Sequence, residues 1–287
     1  MSVDQLARLR AAGLPVTHEV GRGMEGVVAA LDDHRVVKVW DRRPREEVDR
    51  LRTFYDAVEA GLDAVGARLA VPRILDVDEV DGLVVTVHRR LRGSETAPAT
   101  PGPVLEVLAV LADVPAVPDL AVLPVPDGEA PFDPDVPFGV SLGALCRRRA
   151  PLVDLAAGVA EELAAALEAL APVPPRLVHG DLGPVHVLLE DDRPVGLLDF
   201  GYVSTVGDPA FDAAVAAALQ DMFGPRAAEA MAALDSLTTR RFGYDPDVLV
   251  LYRAAYGLVT ASCLAGHPGR HLDWCLELVD TWRSRRG

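Results

Sequence analysis

Apolar and polar positions along the chain follow two different periods. Short apolar runs at 16–20, 27–31 and 36–40 are separated by polar clusters, the last being Asp32-Asp33-His34, which predicts three strands joined by turns. From Pro44 the period changes. Val48, Leu51, Tyr55 and Val58 recur every three or four residues as far as Gly61, which predicts a helix opened by proline. Two more strands, 74–77 and 83–88, flank an Asp81-Gly82 turn. Ahead of them all, a short helix is predicted from Ser2, capped by its hydroxyl with Gln5 closing a capping box, to Gly13.

The rest of the chain reads mainly as helix. Seven prolines between Asp113 and Val140 predict a loop or irregular cover there. Asp154 is a candidate cap for a helix reaching about Leu170. Short strands are predicted at 177–178, 187–189 and 195–198. Pro209, Pro225 and Pro246 each mark a first helical position, and a last helix is expected over about 271–285. The fold class is therefore α+β, with a sheet-bearing part at 1–93 and a mostly helical part at 94–287, joined near Leu91-Arg92-Gly93.

Charge follows the same division. Of 28 basic and 43 acidic residues, 15 and 16 lie in 1–93, net −1, leaving 13 and 27 in 94–287, net −14. So acidic a chain is not expected to bind nucleic acid. No apolar run approaches the ~20 residues of a membrane span, and MSVDQLARLR lacks the pattern of a secretory signal. Cys146, Cys263 and Cys275 sit in apolar helical patterns and are expected to be reduced and buried, in a cytoplasmic protein. His267, His271 and Cys275 have a zinc-like spacing, but Pro268-Gly269 breaks the helix that would align them. Trp274 and Trp282 are expected in the core. Asparagine is absent, and the one lysine is Lys38, in a chain that otherwise uses arginine. That singles out Lys38 as a place where a guanidinium does not serve.

Gly21-Arg22-Gly23-Met24-Glu25-Gly26-Val27 is a G-x-G-x-x-G-x-V segment. Glycines let a backbone lie close against phosphates. Strand follows strand here, whereas a dinucleotide site needs strand, turn and helix. The segment therefore reads as a flap over a nucleoside triphosphate, with Lys38 in the following strand reaching the phosphates. A carboxylate from the next helix is expected to hold that lysine. Glu46, Glu47 and Glu59 are available, and Glu47 is preferred. The segment with most chemistry is Leu177-Val178-His179-Gly180-Asp181 through His186 to Leu189, followed by Asp199-Phe200-Gly201. A loop carboxylate, Asp181, can accept a hydroxyl proton as the oxygen attacks phosphorus. A second, Asp199, can carry Mg²⁺ to the phosphate oxygens.

These segments together resemble the aminoglycoside phosphotransferase and choline kinase group of small-molecule kinases, whose catalytic segment reads H-G-D-x-x-x-x-N. Gly207-Asp208-Pro209-Ala210-Phe211-Asp212 is similar to that group's G-D-P-x-x-D. The resemblance implies a bilobal protein-kinase-like fold, with an antiparallel five-stranded sheet and one main helix in the first lobe and a mostly helical second lobe. It implies Asp181 as the base, Asp199 as a Mg²⁺ ligand, Lys38 on the phosphates, and His179, Asp208 and Asp212 as supports. His186 stands where most of the group has asparagine. A nitrogen suits a hard cation less well than an amide oxygen, but macrolide phosphotransferases resemble this variant. The function implied is transfer of the γ-phosphoryl group of ATP or GTP to a small antibiotic's hydroxyl, the base of the nucleotide lying near 88–91. Acidity favours a cationic or polyhydroxylated acceptor, with Asp273 and Glu277 as candidate contacts. A metabolic kinase of choline, homoserine or sugar type, and a non-catalytic binding module, are the alternatives.

Overall fold

The computed structural model describes residues 2–11, 13–23, 25–41, 43–98, 100–126, 128–200 and 203–286. Helix α1 (Ser2–Ala11) opens the chain; the cap expected from Ser2 and Gln5 lies outside the described side chains. Strands β1 (Glu19–Gly23), β2 (Gly26–Ala30), β3 (Arg35–Trp40), β4 (Ile74–Val80) and β5 (Leu83–Arg89) form one antiparallel sheet in the order β1-β2-β3-β5-β4. Between β3 and β4 runs α2 (Arg45–Ala64). The first strand begins three residues later than the pattern predicts. Val16 is buried outside the strand, and the flap's first two glycines are themselves strand residues.

Alternation along β3 gives the sheet two faces. Val37 and Val39 pack with Leu9, Val16, Ala29, Leu31 and Val85 under α1. Lys38 and Trp40 point to the other face. Helix α2 covers that side, burying the predicted stripe of Val48, Leu51, Tyr55 and Val58 together with Phe54 and Leu62. Glu46 and Glu47 stand in its first turn, where acidic side chains complement the helix dipole. The core under α2 continues without a break into the helical half, through Val104, Leu111, Leu142, Leu163, Phe211 and Leu258.

Beyond the short β6 (Ser94–Glu95) come α3 (Pro101–Asp113), α4 (Phe138–Arg149) and α5 (Val159–Glu168). The proline-rich stretch between α3 and α4 is irregular apart from one 3-10 turn, Pro118–Ala121. Asp154 caps nothing: α5 starts five residues later, after Gly158, whose left-handed backbone (φ +84°) turns the chain into the helix. Strands β7 (Arg176–Val178), β8 (Val187–Glu190) and β9 (Arg193–Leu197) follow. With them comes β10 (Thr205–Gly207), which the pattern does not reveal and which pairs antiparallel with β7. Helices α6 (Pro209–Leu219) and α8 (Pro246–Cys263) begin on proline, each behind an aspartate N-cap. Helix α7 (Ala227–Phe242) begins two residues after Pro225, and α9 (Arg270–Ser284) closes the chain. The three cysteines are free thiols, Cys146 and Cys275 buried and Cys263 half-buried. No described helix is long and apolar enough to cross a membrane.

Candidate active site

The loop after β7 carries His179, Gly180 and Asp181, and several groups fix its path. Gly180 has φ +83°, and a Cβ there would stand 2.3 Å from the Val203 carbonyl carbon, so only glycine fits. Asp212, 1% exposed, accepts the backbone N–H groups of His179 at 2.7 Å and Gly180 at 2.9 Å. Burial pushes its carboxyl up to about 7, against those two donors. Asp208 caps α6 by accepting the Ala210 N–H at 2.9 Å and also accepts the Tyr252 hydroxyl at 2.8 Å. Burial raises its carboxyl too.

Hydrogen bonds to carbonyls assign the tautomer of both loop histidines, because a carbonyl can only accept. His179 donates from Nε2 to Leu198 O at 2.8 Å, and its Nδ1 accepts the Asp181 N–H at 3.3 Å. It is fully buried, and burial followed by the His186 charge lowers it to about 3. His186 donates from Nδ1 to Asp181 O at 2.7 Å. Its Nε2 is turned to Asp199, 3.8 Å from Oδ2. The rings of Phe200, His179 and His186 stack in a column, with centroids 4.5 and 5.9 Å apart.

Asp199 is an exposed carboxylate on a left-handed backbone, φ +56°. A non-glycine residue in that region stores strain, which is characteristic of functional turns. His186 Nε2 and Asp199 Oδ2 are a nitrogen–oxygen pair that could hold one divalent cation, with nitrogen the weaker match for Mg²⁺. The Asp181 carboxyl is close enough to feel both residues. Burial pushes it up to about 6, helped by the Asp199 charge and opposed by His186 and by a hydrogen bond from Tyr256. Gly201, the last residue of the Asp-Phe-Gly segment, lies outside the described residues.

On the sheet side, Lys38 Nζ is 3.0 Å from Glu25 Oε2. The expected partner was Glu47. Among the described residues the carboxylate that meets Lys38 is Glu25, from the turn of the flap itself. Glu47 stays half-buried in the first turn of α2. Of the other two glutamates, Glu59 pairs with Arg89 and Arg73, and Glu46 lies 3.8 Å from Arg50. Glu25 also binds Arg43, and these two cations hold its carboxyl below the usual range in spite of burial. Lys38 Nζ and the Arg43 guanidinium lie 3.7 and 5.2 Å from the centre of the Trp40 ring. Gly26 has a structural duty of its own. A Cβ there would be 1.8 Å from Val39 O, so this glycine serves the close approach of β2 to β3. Gly21 has open space around it, and Gly23 lies in β1.

Helix α2 ties the two sides together. Tyr55 and Phe54 meet Phe200 edge-on at 5.9 and 5.2 Å. Burial, then the charges of Asp199 and Glu25, raise the Tyr55 hydroxyl above its usual range. The sequence pattern shows Tyr55 only as a core position. Near the expected base site, His88 donates from Nδ1 to Pro72 O at 2.8 Å and accepts Thr86 Oγ1 at 2.6 Å. Burial lowers it to about 4, so its side chain is neutral and committed to the sheet.

A model of the phosphotransferase enzyme family matches residues 17–246. The chain belongs to that family. No curated protein sequence matches this phosphotransferase, but solved structures do. One is a thermostable mutant of aminoglycoside phosphotransferase APH(4)-Ia in ternary complex with ADP and hygromycin B, 20% identical, with a TM-score of 0.70 and both chains covered in full. Another is the GDP and kanamycin complex of APH(2")-IIIa, 15% identical, with a TM-score of 0.59 over both full chains. A third is the apoenzyme of macrolide 2'-phosphotransferase MphH from Brachybacterium faecium, 18% identical, with a TM-score of 0.59 over 96% of this chain and 97% of that one. These likenesses establish the kinase-like fold expected from the sequence.

Proposed function

We propose that the chain moves the γ-phosphoryl group of ATP or GTP to a hydroxyl of a small-molecule antibiotic, inactivating it and so giving resistance. The observation that supports the reading best is His186 Nε2 standing 3.8 Å from Asp199 Oδ2, with both residues acting on the Asp181 carboxyl, in a chain whose lone lysine, Lys38, follows the glycine-rich segment. Residues 1–93 hold the nucleotide and residues 94–287 the acceptor. Lys38 and Arg43 exchange the Glu25 carboxylate for phosphate oxygens when the triphosphate enters. Asp199 and His186 are the residues that would hold Mg²⁺, which when bound neutralises charge on the phosphates.

Asp181 accepts a hydrogen bond from the acceptor hydroxyl and takes its proton as the oxygen bonds to phosphorus. The bond from phosphorus to the bridging oxygen breaks, and the nucleoside diphosphate leaves. A base held up to about 6 suits this, being ionised near neutral pH while still able to take a proton. His179, Asp208 and Asp212 keep the loop in place and touch neither substrate.

The acceptor is a cationic or polyhydroxylated molecule, a reading supported by the net charge of −14 on 94–287. Hygromycin B and kanamycin, present in the similar structures, and a macrolide make the first panel. Purified protein with Mg²⁺ and either ATP or GTP is expected to add one phosphate to a member of the panel, read by mass spectrometry. Asp181→Asn should lower turnover about a thousandfold while nucleotide affinity stays within about twofold. Undiminished transfer by Asp181→Asn would remove Asp181 as the base. Nucleotide binding without transfer to any acceptor would favour a non-catalytic module.

A further inference from the structure

The carboxylate of Asp181 is held by a side chain that belongs to no recognised motif. Tyr256, in α8, places its hydroxyl 2.6 Å from Asp181 Oδ1, seventy-five residues away in sequence. A carboxylate cannot donate once ionised, so the phenol donates. We propose that Tyr256 is a positioning residue for the base, fixing the carboxylate's rotation so that Oδ2 is the oxygen offered to the acceptor hydroxyl. This rests on the phosphotransferase reading with Asp181 as base.

The other hydrogen bonds around Asp181 hold its main chain. Its N–H is bound by His179 Nδ1 and its carbonyl by His186 Nδ1. Among the described residues Tyr256 is the one donor to the carboxylate itself, and none reaches Oδ2. Tyr256 is in turn hard to move. It is 2% exposed, within the unbroken buried run from Leu249 to Ser262. Its ring meets Trp274 of α9 edge-on at 6.4 Å. The next residue, Gly257, lets α9 come so close that a Cβ would lie 2.5 Å from Cys275 O. Packing alone would be met equally well by phenylalanine, so the hydroxyl is what the site uses. A carboxylate free to rotate would spend less time in line with the attacking oxygen, and misplacement of this kind lowers the chemical step rather than binding.

The test is Tyr256→Phe, which keeps the ring and removes the oxygen. With whichever acceptor of the panel the parent phosphorylates, kcat should fall roughly 10- to 100-fold. KM for the nucleotide and the unfolding midpoint should stay close to the parent's. Unchanged kcat would overturn the proposal, as would kcat, both KM values and the unfolding midpoint worsening together. A second readout does not depend on the acceptor. In protein labelled with ¹³C at aspartate carboxyls, the resonance absent from Asp181→Asn identifies Asp181. It should move in Tyr256→Phe while the other carboxyl resonances keep their positions. If it does not move, there is no such hydrogen bond and the proposal fails, even if phosphotransfer is found. If it moves and no acceptor is ever phosphorylated, the positioning contact stands and the functional reading falls.

Discussion

Asp212→Asn probes how the catalytic loop is anchored. In the parent, two carboxylate oxygens face two consecutive backbone donors, at 2.7 Å from His179 N and 2.9 Å from Gly180 N, with 1% of the residue exposed. Asparagine keeps the shape but offers one oxygen, so one buried N–H would face an amide NH₂. An unsatisfied buried donor costs about 1–3 kcal/mol, and bonds to a charged acceptor are worth about 1.5–3 kcal/mol each. In the ionised form the desolvation cost outweighs those two bonds, so the loss is felt with the carboxyl protonated, in acid. The net expectation there is about 1–3 kcal/mol, or a fall of roughly 2–5 °C in the unfolding midpoint for a chain of this size.

The pH dependence of that loss tests the balance of forces at the site. The Asp212 carboxyl is held up to about 7 in the folded protein, against 3.8 as its ordinary value. The native state therefore binds this proton more tightly than the unfolded chain does. The stabilisation is complete below the ordinary value and is lost as pH rises through about 7. The gap in midpoint between parent and Asp212→Asn, followed by calorimetry, should accordingly be widest in acid and narrow towards neutrality. A gap that widens with pH would mean that the two N–H donors outweigh burial and depress the carboxyl. An absent gap would mean that Asp212 does not anchor the loop.

Three further outcomes are expected. Glu25→Gln removes the anion that competes for Lys38 and Arg43. A half-exposed pair of this kind is worth about 0.2–1 kcal/mol, so a non-hydrolysable triphosphate should bind roughly two- to fivefold tighter by calorimetry, and weaker binding would show Glu25 to be a helper. Lys38→Arg should lower kcat/KM roughly 10- to 100-fold, because a bulkier planar guanidinium does not reproduce the compact point charge of an ammonium at the phosphates; activity equal to the parent's would make the lone lysine incidental. The kcat/KM profile should rise with pH through about 6 as Asp181 ionises, then level off, and a flat profile below 6 would refute that assignment.

The catalytic loop was legible because its residues are adjacent in sequence. His179, Gly180 and Asp181 serve as neighbours, and Asp208 to Asp212 meet them across the single pairing of β7 with β10. The five strands and α2 were legible because each buries one face at its own period. Glu25 was not, since the choice among four carboxylates depends on how the flap folds back over β3. Tyr256 was hidden for another reason. On an apolar helix a tyrosine reads as a core ring, and only the three-dimensional fold shows what its hydroxyl meets. Gly26 illustrates how one residue type can carry two meanings: a glycine-rich pattern names a phosphate flap, while this particular glycine is required by the neighbouring strand.

Helix α2 lies within the nearly neutral part of the sequence, yet its buried face shares one core with the acidic part. Cutting the chain after Gly93 would leave Val48, Phe54, Val58 and Leu62 without that shared interior, at about 1.5–3 kcal/mol for each large side chain returned to water. Charge and chemistry thus divide the molecule in two, but its interior does not. Heat should melt it in a single cooperative transition, and the sheet-bearing part should be unable to persist alone as a separate folding unit.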